Sequence, residues 1–203
     1  MNVKIEGKLD KGEQVGSEDD GLKDRMRVLV LKIEEGHGGG FEVVVSRTHP
    51  SLVRKLLELE VPEVAEGIVE VVNVAREPGQ RSKISVKSLD ERIDAVGACV
   101  GPRGSRIQAL MDELRPEKID VVPYSEDPRQ YILNALSPAK VNTIKLDAET
   151  KNAFVIVPDN QLSLAIGRGG QNVRLAARLT DWRIDIRSDA QAAAEKAGGS
   201  PKE

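Results

Sequence analysis

The spacing of apolar residues along this chain changes period several times, and the changes come in the same order twice. The first series starts at Pro50, where Leu52, Val53, Leu56 and Leu57 recur at helical spacing. A proline at the opening of a helix costs nothing, because the first N–H groups have no partner inside the helix. The period then falls to two. Val69-Glu70-Val71-Val72-Asn73-Val74 and Lys83-Ile84-Ser85-Val86-Lys87 read as strands around Arg76-Glu77-Pro78-Gly79, whose Pro-Gly marks a turn. Helical spacing returns at Ile107, Leu110 and Leu114, and Lys118 to Val122 alternates as a further strand.

The second series repeats the first. Ile132, Leu133 and Leu136 follow Pro128, and strands Asn142 to Leu146 and Ala153 to Val157 flank the polar turn Asp147-Ala148-Glu149-Thr150. Val173, Ala176, Ala177 and Leu179 then form a helical stripe, and Arg183-Ile184-Asp185-Ile186-Arg187 alternates. Each series predicts the order α-β-β-α-α-β. The sharpest self-match is Ala98-Cys99-Val100-Gly101-Pro102-Arg103-Gly104-Ser105-Arg106-Ile107 against Leu164-Ala165-Ile166-Gly167-Arg168-Gly169-Gly170-Gln171-Asn172-Val173, with Gly167 lying 66 positions after Gly101. A repeat of this kind fixes the architecture before any single motif does.

The flanks differ. Residues 1–48 hold strand-like stretches, Asn2 to Gly7, Met26 to Ile33 and Phe41 to Ser46, between charged and glycine-rich loops. Residues 189–203 lose the apolar pattern and read as a frayed helix and a flexible tail. The expected division is a β segment at 1–48, one α+β unit at 49–123, a second at 124–188, and the tail. The link Pro123-Tyr124-Ser125-Glu126-Asp127 is too short for the units to tumble independently.

Composition narrows the chemistry. With 39% hydrophobic and 31% charged residues among 203, the chain can build packed cores. Apolar runs such as Val28 to Leu31 and Val43 to Val45 fall far short of the ~20 residues that span a bilayer, and no secretory-signal pattern opens the chain. A cytoplasmic protein without membrane partners is expected. The net charge of −3 argues against coating nucleic acid with bulk positive charge, so any polyanion must be held locally. Aromatic residues make up only 2% of the chain (Phe41, Tyr124, Tyr131, Phe154 and Trp182), which argues against a sheet that stacks bases on several rings.

Catalytic and metal chemistry find little support. Cys99 is the only cysteine and lies between Ala98 and Val100, so it reads as a small buried residue. His37 and His49 are the only histidines. The run His37-Gly38-Gly39-Gly40 is similar to an oxyanion loop of some esterases, but the G-x-S-x-G elbow which that chemistry needs is missing, as is the P-loop motif. No enzyme, cofactor, metal site or small-molecule substrate is expected.

The repeated glycines carry the candidate site. A Gly-x-x-Gly between two helices leaves its backbone unshielded, and the helix start beyond it offers unpaired N–H groups and the positive end of a dipole, where a phosphate can rest. Candidates in the first copy are Gly101, Pro102, Arg103, Gly104 and Arg106; in the second, Gly167, Arg168, Gly169, Gly170, Gln171, Asn172 and Arg174. A solvated face is the ordinary reason for an arginine on a helix. Gln171 and Asn172 serve equally well as donors to phosphates or bases or as partners for the helix start. Lys83 and Lys87 share one strand face and would extend a groove, although plain solvation is the commoner reading. Trp182 reads as core before it reads as a base-stacking ring.

Gly101-Pro102-Arg103-Gly104 and Gly167-Arg168-Gly169-Gly170, each between an aliphatic residue and an amphipathic helix, resemble the GXXG loops of KH domains, which hold about four nucleotides of single-stranded nucleic acid. The element order resembles the bacterial, type II form. Ser46-Arg47-Thr48, Glu60-Val61-Pro62-Glu63, Asp94 to Gly101 and Ala165 to Ala176 are similar to the tandem KH region of the NusA family of transcription elongation, termination and antitermination factors. That resemblance covers about residues 40–188. It implies two type II KH domains packed as one body along which extended RNA runs. It also implies nascent single-stranded RNA and the RNA polymerase elongation complex as partners. In that family an OB-type barrel related to ribosomal protein S-one, preceded by a polymerase-binding domain, comes before the KH pair. Residues 1–48 resemble only the last strands of that barrel, which implies either a fragment of a longer protein or a reduced homologue. The RNA-binding portion of a ribonuclease and a ribosome-associated KH protein are the alternatives.

Overall fold

The computed structural model describes residues 6–18, 25–35 and 40–198. His37-Gly38-Gly39 and most of the strand expected at Asn2 to Gly7 lie outside them. The first segment carries β1 (Gly7–Leu9), β2 (Leu29–Glu35) and β3 (Phe41–Ser46) in a three-stranded sheet of order β1-β3-β2. The strand expected at Met26 to Ile33 begins three residues later and runs to Glu35.

The first α+β unit is α1 (Pro50–Glu60), the short α2 (Pro62–Ala65), β4 (Val69–Glu77), β5 (Arg81–Ser88), α3 (Ala95–Val100), α4 (Ser105–Glu113) and β6 (Lys118–Pro123). The second repeats it without the α2 turn: α5 (Pro128–Ala135), β7 (Thr143–Asp147), β8 (Asn152–Val157), α6 (Leu162–Ile166), α7 (Gln171–Thr180) and β9 (Arg183–Ser188). In both sheets an antiparallel hairpin is joined by a parallel third strand, in the orders β4-β5-β6 and β7-β8-β9. Residues 189–198, expected to fray, form a further helix, α8 (Asp189–Gly198), whose start is tied down by Asn142 Nδ2 donating to Asp189 Oδ2 at 2.9 Å.

Each unit buries one face of its sheet under its helices. In the first, Leu52, Val53, Leu56 and Leu57 of α1 and Ile107 and Leu110 of α4 pack with Val69, Val71, Ile84, Val86 and Ile119. Cys99 belongs to this cluster, fully buried, and loss of water around it pushes its thiol pKa up to about 11. The opposite face of the same sheet is also buried, because the second unit covers it. Ala75 and Val122 of the first unit sit in the second unit's core with Tyr131, Ile132, Leu136, Leu175 and Leu179. The Tyr131 hydroxyl lies 2.8 Å from Ser85 Oγ and 3.0 Å from the Leu179 carbonyl oxygen, which also accepts from Asn73 Nδ2 at 3.3 Å.

Lys83 is corrected by this junction. It neither lines a groove nor faces solvent. Its ammonium group is fully buried between the units, donating to the Ser137 carbonyl at 3.0 Å and to Asp120 at 3.3 Å, and desolvation lowers its pKa. Lys87 stays at the surface on Glu126.

Where the first segment meets the first unit, the joint is polar. Arg47, 2% exposed, donates to Glu18, to the Arg27 carbonyl, and to both the side chain and the carbonyl of Glu113 at the end of α4. Nearby, Glu117 accepts from Arg76 at 2.9 Å, from the Gly79 N–H at 3.0 Å and from Ser82 Oγ at 2.6 Å, all out of contact with water. No helix among the described residues is long and apolar enough to cross a membrane.

Removing one member of a buried pair leaves its partner charged and unsolvated. Glu117→Ala is expected to cost about 3–5 kcal/mol of stability, measured by urea unfolding. Arg92→Ala, which removes the exposed partner of Asp90, should leave the urea midpoint unchanged.

Candidate nucleic-acid interface

The two glycine loops join α3 to α4 and α6 to α7, and their backbones match angle for angle. Gly101 has φ 75 and ψ 172 where Gly167 has 78 and 168. Arg103 has φ 54 and ψ 26 where Gly169 has 58 and 25. Gly104 and Gly170 follow at φ 77 and 74. Three of the four loop positions therefore need no more than small rotations to superimpose, and all three are left-handed. Glycine takes that region freely; an L-residue pays about 1–2 kcal/mol. The third position is an arginine in the first loop and a glycine in the second, so the first loop holds its cation in a strained backbone.

Close approach decides the first glycine of the second loop. A Cβ added at Gly167 would lie 2.7 Å from the backbone nitrogen of Asn172, whereas one at Gly169 would meet nothing within 4 Å. The helix start presses against the loop entry at Gly167 and leaves the loop tip open.

The structure divides the candidate residues into two groups. Arg103 and Arg168 are exposed, and among the described residues neither has a hydrogen bond or ion pair. Pro102 and Gly169 lie beside them on the exposed tips. The remaining polar candidates are hydrogen-bonded within the protein, Arg174 while staying exposed. Arg106 donates to the Ala98 carbonyl at 2.6 Å and to Glu63 at 2.9 Å, so it braces the loop from behind. Asn172, 3% exposed, does the same for the second loop, donating to the carbonyls of Leu136 at 3.2 Å and Ala165 at 3.0 Å. The Ala165 carbonyl, in the last turn of α6, has run out of helical partners, and the Leu136 carbonyl, just past α5, accepts from the Ala139 N–H as well. The oxygen of the Asn172 amide is buried without a partner.

Gln171 and Arg174 reach across to the first unit. Arg174 donates to Glu77 at 2.6 Å and to the Gly169 carbonyl at 3.0 Å, and Gln171 donates to the same carboxylate at 2.9 Å. Glu77 ends β4, so a residue outside every motif ties the hairpin of the first unit to the loop of the second. The hydrogen bond from Arg174 holds the Glu77 carboxyl below its ordinary value. The pair keeps its full strength through neutral pH and weakens only as acid protonates Glu77. Sequence reasoning missed Glu77 because nothing local marks it: its partners lie 94 and 97 residues away.

A model of the NusA-like first KH domain fits residues 47–124, and one of the NusA-like second KH domain fits residues 128–194. The chain belongs to the NusA-like tandem KH family. It is 52% identical over 189 residues to the transcription termination/antitermination protein NusA of Halalkalibacterium halodurans, covering 93% of this chain and 49% of that one. The protein of the same name from Bacillus subtilis is 52% identical over 93% of this chain and 51% of its own length. That of Thermus thermophilus is 49% identical over 88% of this chain and 46% of its own. The chain thus spans about half the length of these relatives. Among solved structures, the crystal structure of APE1850 aligns with a TM-score of 0.46 and 23% identity over 68% of this chain and 94% of that one.

The KH loops offer a direct test of the brace. Asn172→Ala removes the donor from the buried Ala165 carbonyl, while the Leu136 carbonyl keeps the Ala139 N–H at 3.1 Å, and is expected to cost about 1–2 kcal/mol in thermal or urea unfolding. Gly169→Ala should cost about 1 kcal/mol from its left-handed backbone alone. Gly167→Ala should cost clearly more, since it adds a backbone clash to that strain.

Proposed function

We propose that this chain binds single-stranded RNA through its two KH loops and does so in the regulation of transcription. Its RNA is nascent transcript, bound near the RNA polymerase elongation complex, and the chain itself carries out no chemical reaction. One observation carries the reading: the same exposed, left-handed backbone occurs at the head of two helices, each time with an unpaired arginine beside it. Phosphate meets N–H groups and dipole at the helix start, and the arginine adds charge without first breaking an ion pair. Relatives that bear the name transcription termination/antitermination protein supply the setting. Gly101, Pro102, Arg103 and Gly104, with Gly167, Arg168, Gly169 and Gly170, make the contact. Arg106, Gln171, Asn172 and Arg174 hold the loops in place for it. The overall charge of −3 leaves binding to these local cations.

The test is a titration of labelled single-stranded RNA of about 12 nucleotides, enough for two loops that hold about four each. Matched single-stranded DNA and duplex RNA serve as comparisons, at two salt concentrations. Salt-sensitive binding that favours the single-stranded RNA is expected. Aspartate at Pro102, Arg103, Arg168 and Gly169 should abolish it in a folded protein, because aspartate tolerates the left-handed positions and repels phosphate. Binding that survives those four substitutions overturns the assignment. Arg103→Gly separates charge from strain: it should leave stability equal or up to about 1 kcal/mol higher, yet lower the salt slope by about 0.7.

A further inference from the structure

A cleft of 660 Å³ opens in the second unit between the β7–β8 turn and the end of α7, lined among others by Thr150, Lys151, Arg178, Asp181, Trp182 and Arg183. It lies one helix away from the second KH loop. Arg174, which holds the Gly169 carbonyl, and Arg178, which lines the cleft, are one turn apart on α7, and both face Glu77, at 2.6 and 3.6 Å. The cations of α7 thus lead from the loop to the cleft.

Trp182 is the only tryptophan in the chain. It packs partly against the second unit's core and also lines the cleft. Beside it Lys151 pairs with Asp181, while Arg183 is exposed and, among the described residues, its guanidinium group has no partner. The first unit has a hollow near the start of its third strand, lined by Lys118 where the second unit has Arg183, but no residue of its hairpin turn lines it. That cleft is 350 Å³, contains no aromatic residue, and has Arg115 paired with Asp112 at 2.6 Å. The two hollows therefore differ in their walls as well as in their chemistry.

We propose that the cleft of the second unit is a further RNA contact, in which a nucleotide beyond the loop stacks its base on Trp182 while its phosphate meets Arg183 and Arg178. This rests on the RNA-binding reading above and extends its path. An indole ring lining a hollow beside an unpaired guanidinium group suits a base and a phosphate together, and stacking tolerates any base. A purely structural tryptophan would need neither the open hollow nor the free cation.

Trp182 is itself the reporter. RNA of about 12 nucleotides is titrated while labelled-RNA anisotropy reads total binding and tryptophan emission reads the cleft. Emission should fall as RNA binds. Arg183→Glu, an exposed and unpaired position, should remove most of that change and weaken affinity about five- to tenfold. Lys118→Glu, the same charge change at the first unit's strand, should do neither. If RNA binds by anisotropy while emission and the Arg183→Glu affinity stay at wild-type values, the cleft proposal is wrong and the loop reading stands. Equal weakening by both variants would mean long-range charge only and would also overturn it. So would an oligo-glutamate peptide of matched charge that quenches Trp182 and displaces the RNA. No binding by anisotropy would defeat the loop reading, and this proposal with it.

Discussion

The arrangement depends on one contact, the burial of the outer face of the first KH sheet against helices α5 and α7 of the second domain. That face is unusual for an interdomain surface. Ala75 and Val122 complete the neighbouring core, and Tyr131 and Asn73 close the end of α7 by donating to its Leu179 carbonyl, with Ser85 on the Tyr131 hydroxyl. Even a lysine ammonium is enclosed there, on Ser137 and Asp120. An interface of this kind is costly to open, because separating the domains would expose apolar surface and strip the Leu179 and Ser137 carbonyls of donors on the first sheet. It fixes where the second loop stands relative to the first.

The same device occurs one step earlier in the chain. Arg47 of the preceding segment donates to the Glu113 carbonyl at the end of α4, as Asn73 of the first KH sheet donates to the Leu179 carbonyl near the end of α7. In both joints a preceding sheet offers a donor to a helix carbonyl left without an intrahelical partner. The joints differ in charge. The first is a network of arginine and glutamate, and the second is a continuous apolar core with polar groups set into it.

Within the loops, position and contact are divided among residues. Arg106 and Asn172 fill corresponding places behind their loops and hold the carbonyls of the helix before. Arg103 and Arg168 stand outside with their charge unspent. Glu77 joins the two levels, since the carboxylate that locks the domains together also orders the arginine that holds Gly169. The interface and the second loop are therefore mechanically linked.

Much of this was legible in the residues. Periods of 3.6 and 2 gave the order α-β-β-α-α-β twice, because each element shows its buried face as a local repeat. The paired glycines marked the loops, because only a left-handed backbone or a close approach demands them so regularly. Two kinds of fact were out of reach. The outer face of the first sheet carries Lys83 and Ser85, which alternate like solvated positions; only the arrival of the second domain makes them interior. The polar residues beside the loops look alike along the chain, and whether each turns outward or braces the fold depends on carbonyls and carboxylates that lie up to 97 residues away. The sequence by itself determined the units, their order and the loops, which are set by neighbours in the chain. Only the tertiary structure decided which cations are free, since an ion pair or a desolvated amine is a property of groups brought together from distant segments.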